Sequence, residues 1–551
     1  MPLLERLLQN RGIISATEVR DFLTPQLRDL YPPNALHGTT DAARLIVDAV
    51  RAKRKIVLYG DYDVDGTTSV AILWHLLHGA GADLTCYVPH RIEEGYGLNA
   101  AACMALADQG AQLVITTDCG MTGHEAAAEL ARRGVSLIIT DHHQWHEPLP
   151  TAAAIVHPGL GGTYPNPHLC GAGVAFKLAW AIAQEFSASE KVTPELRDLL
   201  SDLLPLAALG TIADIVPLRG ENRIIAVHGL DRLARTRIPG LVALMESVGL
   251  RGQSIGGYDV GFKLAPRINA AGRMGHADLA IELFTTADGK RAAEIAAYLD
   301  DHNRSRQATE RKITAQAVAM VAEQGLASDA RRAIVIGQEG WHPGVIGIVA
   351  ARLVGRFHRP AVVVAFSEGQ GQGSARSIAH FHLAEALKEC EADLLSCGGH
   401  AMAAGLRVAR DRFDAFTERF VAVANARLTG RDLIPKITID AEVHLNELGL
   451  PVVQSIHQLG PFGCENPKPR LATQWLELAA EPRCVGQTGK HLQAVFSQDG
   501  VALKAIGFGL GDALNDLKHH RRCKVAFEPI ISDFGGRRSV ELQIIDFKFP
   551  D

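Results

Sequence analysis

A chain of 551 residues is too long for one hydrophobic core and predicts three or four domains. Hydrophobic residues at 47% and charged residues at 21% speak against wholesale disorder, and nine cysteines without a CxxC pair read as reduced thiols rather than a disulfide framework and speak against a structural zinc site. A net charge of -5 neither announces nor excludes a nucleic-acid partner, which needs a local basic surface rather than a basic total.

Residues 1–10 carry Glu5 and Arg6 inside their apolar pattern, and no later run reaches about 18 uncharged apolar residues. The sequence therefore predicts a cytoplasmic protein with no signal peptide and no membrane association. Ser15-Ala16-Thr17-Glu18 fits a capping box ahead of Val19, Phe22 and Leu23, and an amphipathic helix follows over 41–53, giving a helical lead-in over 1–54. Short apolar runs at 56–59, 84–88, 113–117, 136–140 and 153–156 then alternate with helical segments, the pattern of a doubly wound α/β domain with a parallel sheet, placed at 55–285. Residues 290–324 are rich in Ala, Glu, Arg and Gln without proline and predict a long connecting helix within 286–328. A second α/β unit over 329–428 opens with strands at 333–336 and 361–365 and reaches a glycine-rich stretch at 369–374. From 429 to 551 the chain reads as strands with turns at Asp499-Gly500 and Gly535-Gly536, which fits a small OB-like β-barrel.

The first predicted strand runs into three alternating aspartates, Asp61, Asp63 and Asp65, followed by Gly66. Alone, this string could be a solvated acidic turn. Two further strands end the same way, one at Asp118-Cys119-Gly120 and one at Asp141-His142-His143. In an open parallel sheet the carboxyl ends of neighbouring strands face one crevice at the topological switch point, so these groups can meet. Asp214, set among apolar residues in LGTIADIVPL, would be costly to bury without a cation, unless it caps a helix. Oxygen donors combined with imidazoles suit Mn²⁺ or Mg²⁺.

The segments GDYDVDG (60–66), TTDCG (116–120), ITDHH (139–143) and GTIADIVPL (210–218) resemble, in that order, the four motifs of the DHH phosphoesterase superfamily. The resemblance implies that Asp63, Asp65, Asp118, His142 and Asp214 hold two divalent ions with Asp118 bridging, and that His143 approaches the scissile phosphate. Members often carry a histidine four positions before the second aspartate. Here that position is Tyr59, which leaves Tyr59, Asp61 or water to replace an imidazole ligand.

Arg267, Asn269 and Arg273 lie in RINAAGR (267–273), a segment similar to one that RecJ-like exonucleases carry between their two halves. Arginines match phosphate oxygens bidentately, although either one alone could serve a structural ion pair. Downstream, Ser374, Arg376 and Ser377 follow the glycine-rich stretch, and Gly398-Gly399-His400 precedes Ala403. With Trp341-His342-Pro343-Gly344, these strings resemble the DHH-associated domain, whose serines, arginine and histidine would bind the nucleotide. A glycine-rich surface loop is the plainer alternative. Gly171-Ala172-Gly173 lacks the third glycine of a dinucleotide fingerprint and reads as a tightly packed helix start. The basic run 518–524 is either a solvated face or a supplementary DNA track on the barrel.

Resemblance to the RecJ-like family implies a single-stranded-DNA-specific 5′ to 3′ exonuclease that releases 5′-mononucleotides in recombination and repair. It would act as a monomer beside a single-strand-binding protein and a helicase. Two competing readings are a DHH phosphodiesterase acting on short oligoribonucleotides or cyclic dinucleotides, and a catalytically silent DNA-binding scaffold. Retention of every motif acid and both histidines speaks against the scaffold.

Overall fold

The computed structural model describes residues 1–89, 94, 97–273, 277–534 and 536–550. The chain forms two compact units, one made of Met1–Gly272, His276–Ala296 and Thr438–Asp551, the other of Arg273–Gly275 and Ala297–Ile437. Among the described residues no helix is long and apolar enough to cross a membrane.

In the first unit, five parallel strands, β1 (Lys55–Gly60), β2 (Asp83–Tyr87), β3 (Leu113–Thr117), β4 (Ser136–Thr140) and β5 (Ala154–Val156), form a sheet of order β2-β1-β3-β4-β5. β1, β3 and β4 read as near-continuous apolar runs because both faces are covered, and β3 is buried at every residue, whereas the edge strand β2 is only partly buried. The chain passes outward from β1 to β2 and returns to β3 on the other side of β1. The switch point therefore lies between β1 and β3, where two of the acidic motifs begin. Helices Val64–Gly79, Gly171–Ser187 and Pro194–Ala213 pack on one another, the first carrying Asp65 and the last ending at Asp214. The predicted capping box is present, with Ser15 Oγ accepting from the Glu18 N–H and the Glu18 carboxylate from the Ser15 N–H.

The second unit holds most of the helix Gly289–Glu323, close to the predicted span, and a mixed sheet. Its strands are β6 (Ile334–Glu339), β7 (Ala361–Ser367), β8 (Gln370–Arg376), β9 (Ser396–Gly399) and β10 (Ala403–Ala409), in the order β6-β7-β8-β10-β9. The glycine-rich stretch is mostly not a loop; it becomes β8, paired on both edges. Glycine is required there by packing. A Cβ on Gly371 would meet Val364 at 2.6 Å and Phe366 at 2.7 Å, and one on Gly373 would meet Leu406 at 2.6 Å.

Back in the first unit, β11 (Ala441–Val443), β12 (Leu471–Thr473), β13 (Leu476–Leu478), β14 (Arg483–Val485), β15 (His491–Gln498), β16 (Val501–Gly507), β17 (Arg522–Phe534) and β18 (Arg537–Lys548) form one sheet. The path β17-β13-β15-β16-β18 closes through the β17–β18 pairing into a five-stranded barrel, which removes its open edges. Phe496, Phe527, Leu492 and Leu542 fill the core, and Leu3, Leu7 and Leu8 of the N-terminal helix join the same cluster.

Buried Arg223 fastens three segments of this unit together. Its guanidinium donates to the backbone carbonyls of Phe22 (2.8 Å), Leu459 (3.1 Å) and Gly460 (2.7 Å), and it stacks 3.7 Å from the centre of the Phe22 ring. Nearby, the Leu218 N–H donates to Cys464 O at 3.0 Å, so the barrel loop docks on the segment that follows Asp214.

Candidate active site

The first three acidic motifs leave the carboxyl ends of β1, β3 and β4, and the fourth ends a helix. After β1, Asp63 is the N-cap of Val64–Gly79 and its carboxylate accepts from the Gly66 N–H at 3.0 Å, which puts Asp65 in the first helical turn. Asp65 is buried and accepts from the N–H groups of Gly171 (2.6 Å) and Ala172 (2.8 Å), at the start of Gly171–Ser187. A helix N-terminus stabilises negative charge, so this tight helix start orients a site carboxylate.

Asp118, at the end of β3, has φ 63° and is 2% exposed, with its N–H bonded to Thr140 O at 3.0 Å. Left-handed backbone is uncommon for a non-glycine residue and turns this carboxylate into the crevice. Glycine at two flanking positions makes the room. A Cβ on Gly171 would lie 2.6 Å from the Asp118 Cβ, and one on Gly210 would run into Asp65 Oδ1 and lie 2.5 Å from the Ala172 Cβ.

At the end of β4, Asp141 is buried and accepts from the backbone N–H groups of Met121 (3.0 Å), His142 (2.8 Å) and His143 (3.1 Å) and from His143 Nδ1 (2.8 Å). Burial alone would raise its pKa, but the His143 bond, the His143 charge and the backbone donors bring it down to about 2. Asp141 thus orients both histidines. His142 Nε2 lies 3.1 Å from Asp118 Oδ1 and 3.7 Å from both Asp65 Oδ2 and Asp214 Oδ2, yet it makes a hydrogen bond to none of them. Asp214 is the C-cap of Pro194–Ala213, where the helix dipole opposes a negative charge.

Burial, then mutual repulsion, pushes Asp118 well above the usual carboxylate range; Asp65 is raised by burial despite the pull of His142, and Asp214 stands at about 8 through burial and the charges of Asp65 and Asp63. Such a set cannot ionise together without cations. Ligand atoms lie within 4.8 Å of one another in three groups: Asp61, Asp63 and Asp118; Asp65, His142 and Asp214; and Asp118, His142 and His143. Crowded carboxylate oxygens around an imidazole nitrogen without a hydrogen-bond partner fit two divalent ions that share Asp118. The Tyr59 hydroxyl donates to Gly97 O (3.1 Å) and accepts from the Asn99 N–H (3.2 Å), so it is committed to the backbone, while Asp61 stands with the ligand atoms.

Asn269 Oδ1 accepts from the Val64 N–H at 3.2 Å, between Asp63 and Asp65, and Arg267 Nη1 donates to Lys263 O at 2.6 Å. The Arg273 side chain lies outside the described residues. In the second unit, Arg376 Nη1 donates to Ser374 Oγ at 3.2 Å beside the first turn of helix Ile346–Phe357, where a Cβ on Gly347 would crowd both side chains. Buried Ser377 donates to Phe381 O at 2.7 Å, and His400 is exposed. Trp341 Nε1 donates to Gln316 Oε1 at 3.0 Å. On the barrel, Arg522 and Lys524 of the basic run flank the Trp475 ring at 5.3 and 5.6 Å.

Sequence reasoning named Asp141 as the acid that opens the DHH string and read Gly171 as a tightly packed helix start, which it is. It gave neither of them, nor Gly210 at the head of the fourth motif, a part in the site, because that part depends on carboxylates far away in the chain.

Three family models match the chain: the N-terminal domain of the DHH family over 55–211, the DHHA1 domain over 307–426 and the RecJ OB domain over 439–546. The chain is 39% identical over 551 residues to the single-stranded-DNA-specific exonuclease RecJ of Bacillus subtilis, covering 99% of this chain and 68% of that protein. It is 35% identical to the Haemophilus influenzae exonuclease of the same name, covering 100% and 96%. The structure is similar to Thermus thermophilus RecJ solved in complex with Mn²⁺, with a TM-score of 0.84 at 32% identity over 99% of this chain and 76% of that one. It is also similar to the Mg²⁺ complex of the same enzyme, with a TM-score of 0.78 at 31% identity over 99% and 74%. With four motifs converging on one carboxylate cluster and matches along its whole length, the chain belongs to the RecJ family of single-stranded-DNA-specific exonucleases.

Proposed function

We propose that this chain is a single-stranded-DNA-specific exonuclease that hydrolyses phosphodiester bonds with two divalent ions, Mn²⁺ or Mg²⁺, from the 5′ end, releasing 5′-mononucleotides in recombination and repair. The observation that carries this reading is the convergence of Asp61, Asp63, Asp65, Asp118, His142 and Asp214 at the switch point, where burial and crowding keep Asp65, Asp118 and Asp214 from ionising together without cations. Bound there, divalent ions supply an activated water and neutralise charge on the phosphoryl oxygens.

The chain's own residues do the rest. Asp118 belongs to two of the three ligand groups and would be the carboxylate shared by two ions. Asp65 is oriented by the helix start at Gly171 and His142 by Asp141. Burial works against a charge on His143, but the Asp141 hydrogen bond and charge raise its pKa to about 9, so the imidazolium is available to donate from Nε2 to a phosphoryl oxygen. Arg267, Arg273, Ser374, Arg376 and His400 contact the strand, whereas Asn269 and Ser377 act mainly by holding backbone. The setting we infer is cytoplasmic, with the enzyme acting as a monomer on strands opened by a helicase and covered by a single-strand-binding protein.

Time-resolved digestion of a long DNA strand labelled at its 5′ or its 3′ end, with Mn²⁺, Mg²⁺ or chelator, tests the reading. Prompt release of a labelled mononucleotide from the 5′ end alone, abolished by chelator, is the expected result. Release from the 3′ end, or faster cleavage of a five-residue RNA with the long strand untouched, would overturn it. Asp118→Ala should lower turnover by orders of magnitude while leaving strand binding largely intact.

A further inference from the structure

The segment that precedes Arg267 and Asn269 has an unusual surface. Tyr258 is 58% exposed and Phe262 is 69% exposed, and their rings stack on each other at 4.7 Å with an interplanar angle of 23°. Two large aromatic rings in water cover little of each other's surface, and nothing in the core requires them there. The backbone beneath them is distorted as well. Gly257–Asp259 is α-helical, Val260–Leu264 is π-helical, and α-helix resumes at Ala265–Arg273. A π segment costs helix regularity and recurs at functional positions.

This helical run is anchored at both ends. At its far end Asn269 bonds the Val64 N–H inside the acidic loop, and a Cβ on Gly272 would meet Tyr62 O at 2.6 Å. Near its start a Cβ on Gly257 would meet Phe462 O of the barrel loop at 2.6 Å. The nearby charges are already engaged: Asp259 accepts from the Gly256 N–H and pairs with Lys263 at 2.6 Å, which holds the turn and leaves the rings as the outward feature. From Tyr258 to Asn269 the helix rises roughly 16 Å, a span of a few nucleotides.

We propose that the Tyr258–Phe262 pair is a stacking platform for bases of the single strand, a few nucleotides from the bond being cut. The inference rests on the single-strand reading above. Aromatic faces accept any base, so the platform binds without sequence preference, and a helix fixed to the acidic loop keeps the distance between platform and carboxylates constant. Paired bases present no open face to such rings, so the platform favours single strands over duplex.

The test is the affinity of the full chain for a long mixed-sequence DNA strand, measured by fluorescence anisotropy with chelator present so that nothing is cut. Tyr258→Ala/Phe262→Ala should weaken binding about 30-fold, within the range for losing one or two base–aromatic stacks. Phe262→Trp should bind at least as tightly as wild type and Phe262→Leu should fall toward the double variant, because a ring face rather than apolar area is what a base needs. Removing bases from the strand should cost wild type more affinity than it costs the double variant. Equal binding by wild type and double variant, or full affinity in Phe262→Leu, would overturn the platform and leave the rings to a protein partner. Failure of wild type to bind any long single strand would instead overturn the parent reading and the platform with it.

Discussion

Replacing Gly171 with alanine tests whether one helix start sets the geometry of the carboxylates beside it. The added Cβ would stand 2.6 Å from Cβ and 2.7 Å from Oδ1 of Asp118, about 1 Å inside ordinary contact. Neither neighbour can retreat cheaply. Asp118 is held at φ 63° with its N–H on Thr140 O, and the Gly171 N–H holds Asp65 at 2.6 Å. Overpacking of this kind costs roughly 1–3 kcal/mol, against up to about 1 kcal/mol recovered when alanine replaces glycine in a helix. Global stability should therefore fall by no more than about 3 kcal/mol. The misfit, however, lands on two carboxylates proposed to hold the metals, and Mn²⁺ affinity should drop roughly 5- to 150-fold, the factor that 1–3 kcal/mol represents. Calorimetric titration of Mn²⁺ into metal-free protein, beside urea unfolding, separates the two effects. Gly79→Ala is the control, since nothing lies within 4 Å of its Cβ. Wild-type Mn²⁺ affinity and turnover in Gly171→Ala would refute the claim that this helix positions the site.

Metal-free protein should lose stability as pH rises. Asp214 has a folded pKa of about 8 against 3.8, so it binds its proton more tightly when folded; that stabilisation is complete below about pH 4 and is lost as pH climbs through about 8. Melting in chelator should occur at lower temperature at pH 8 than at about pH 5.5, and Mn²⁺ should remove most of the difference; flat metal-free melting temperatures would count against the crowding. Lys177→Met should cost about 3–5 kcal/mol in urea unfolding, because it strands Glu221 in a pair whose side chains are both 0% exposed, and adding Glu221→Gln should recover part of the loss. Arg223→Leu should cost about 2 kcal/mol or more by removing the guanidinium donor from the Phe22 and Gly460 carbonyls and one of the two donors to the buried Leu459 carbonyl, which Asn466 Nδ2 also reaches, and should speed proteolysis near the barrel loop.

The parallel sheet and its acidic ends were legible in the sequence because both signals are local: an unbroken apolar run followed at once by aspartate. Convergence of the three strand-end motifs followed from topology, since parallel strands deliver their carboxyl ends to one edge, whereas Asp214 arrives at the end of a helix. The duty of Asp141 was not legible, because an aspartate beside two histidines reads as another ligand until its four hydrogen bonds are known. Tyr59 was ambiguous for the same kind of reason, as its hydroxyl is bonded to Gly97 and Asn99, about 40 residues downstream. The stretch at 369–374 resembled a loop because glycine lowers strand propensity, and its true cause is the bulk of Phe366 and Leu406 on adjacent strands. No short window could have joined Leu3 and Leu7 to a barrel more than four hundred residues away.

That last union bears on how such enzymes can be recombined. The barrel loop at 459–466 is seated by the Leu218 N–H on Cys464 O and by Arg223 beneath it, soon after Asp214 of the carboxylate cluster. A foreign barrel grafted onto this core must therefore supply carbonyls in register with that arginine and a matching groove for the N-terminal helix. Chimaeras joined in the linker after the second unit should succeed or fail on those few contacts, whatever the binding strength of the barrel they import.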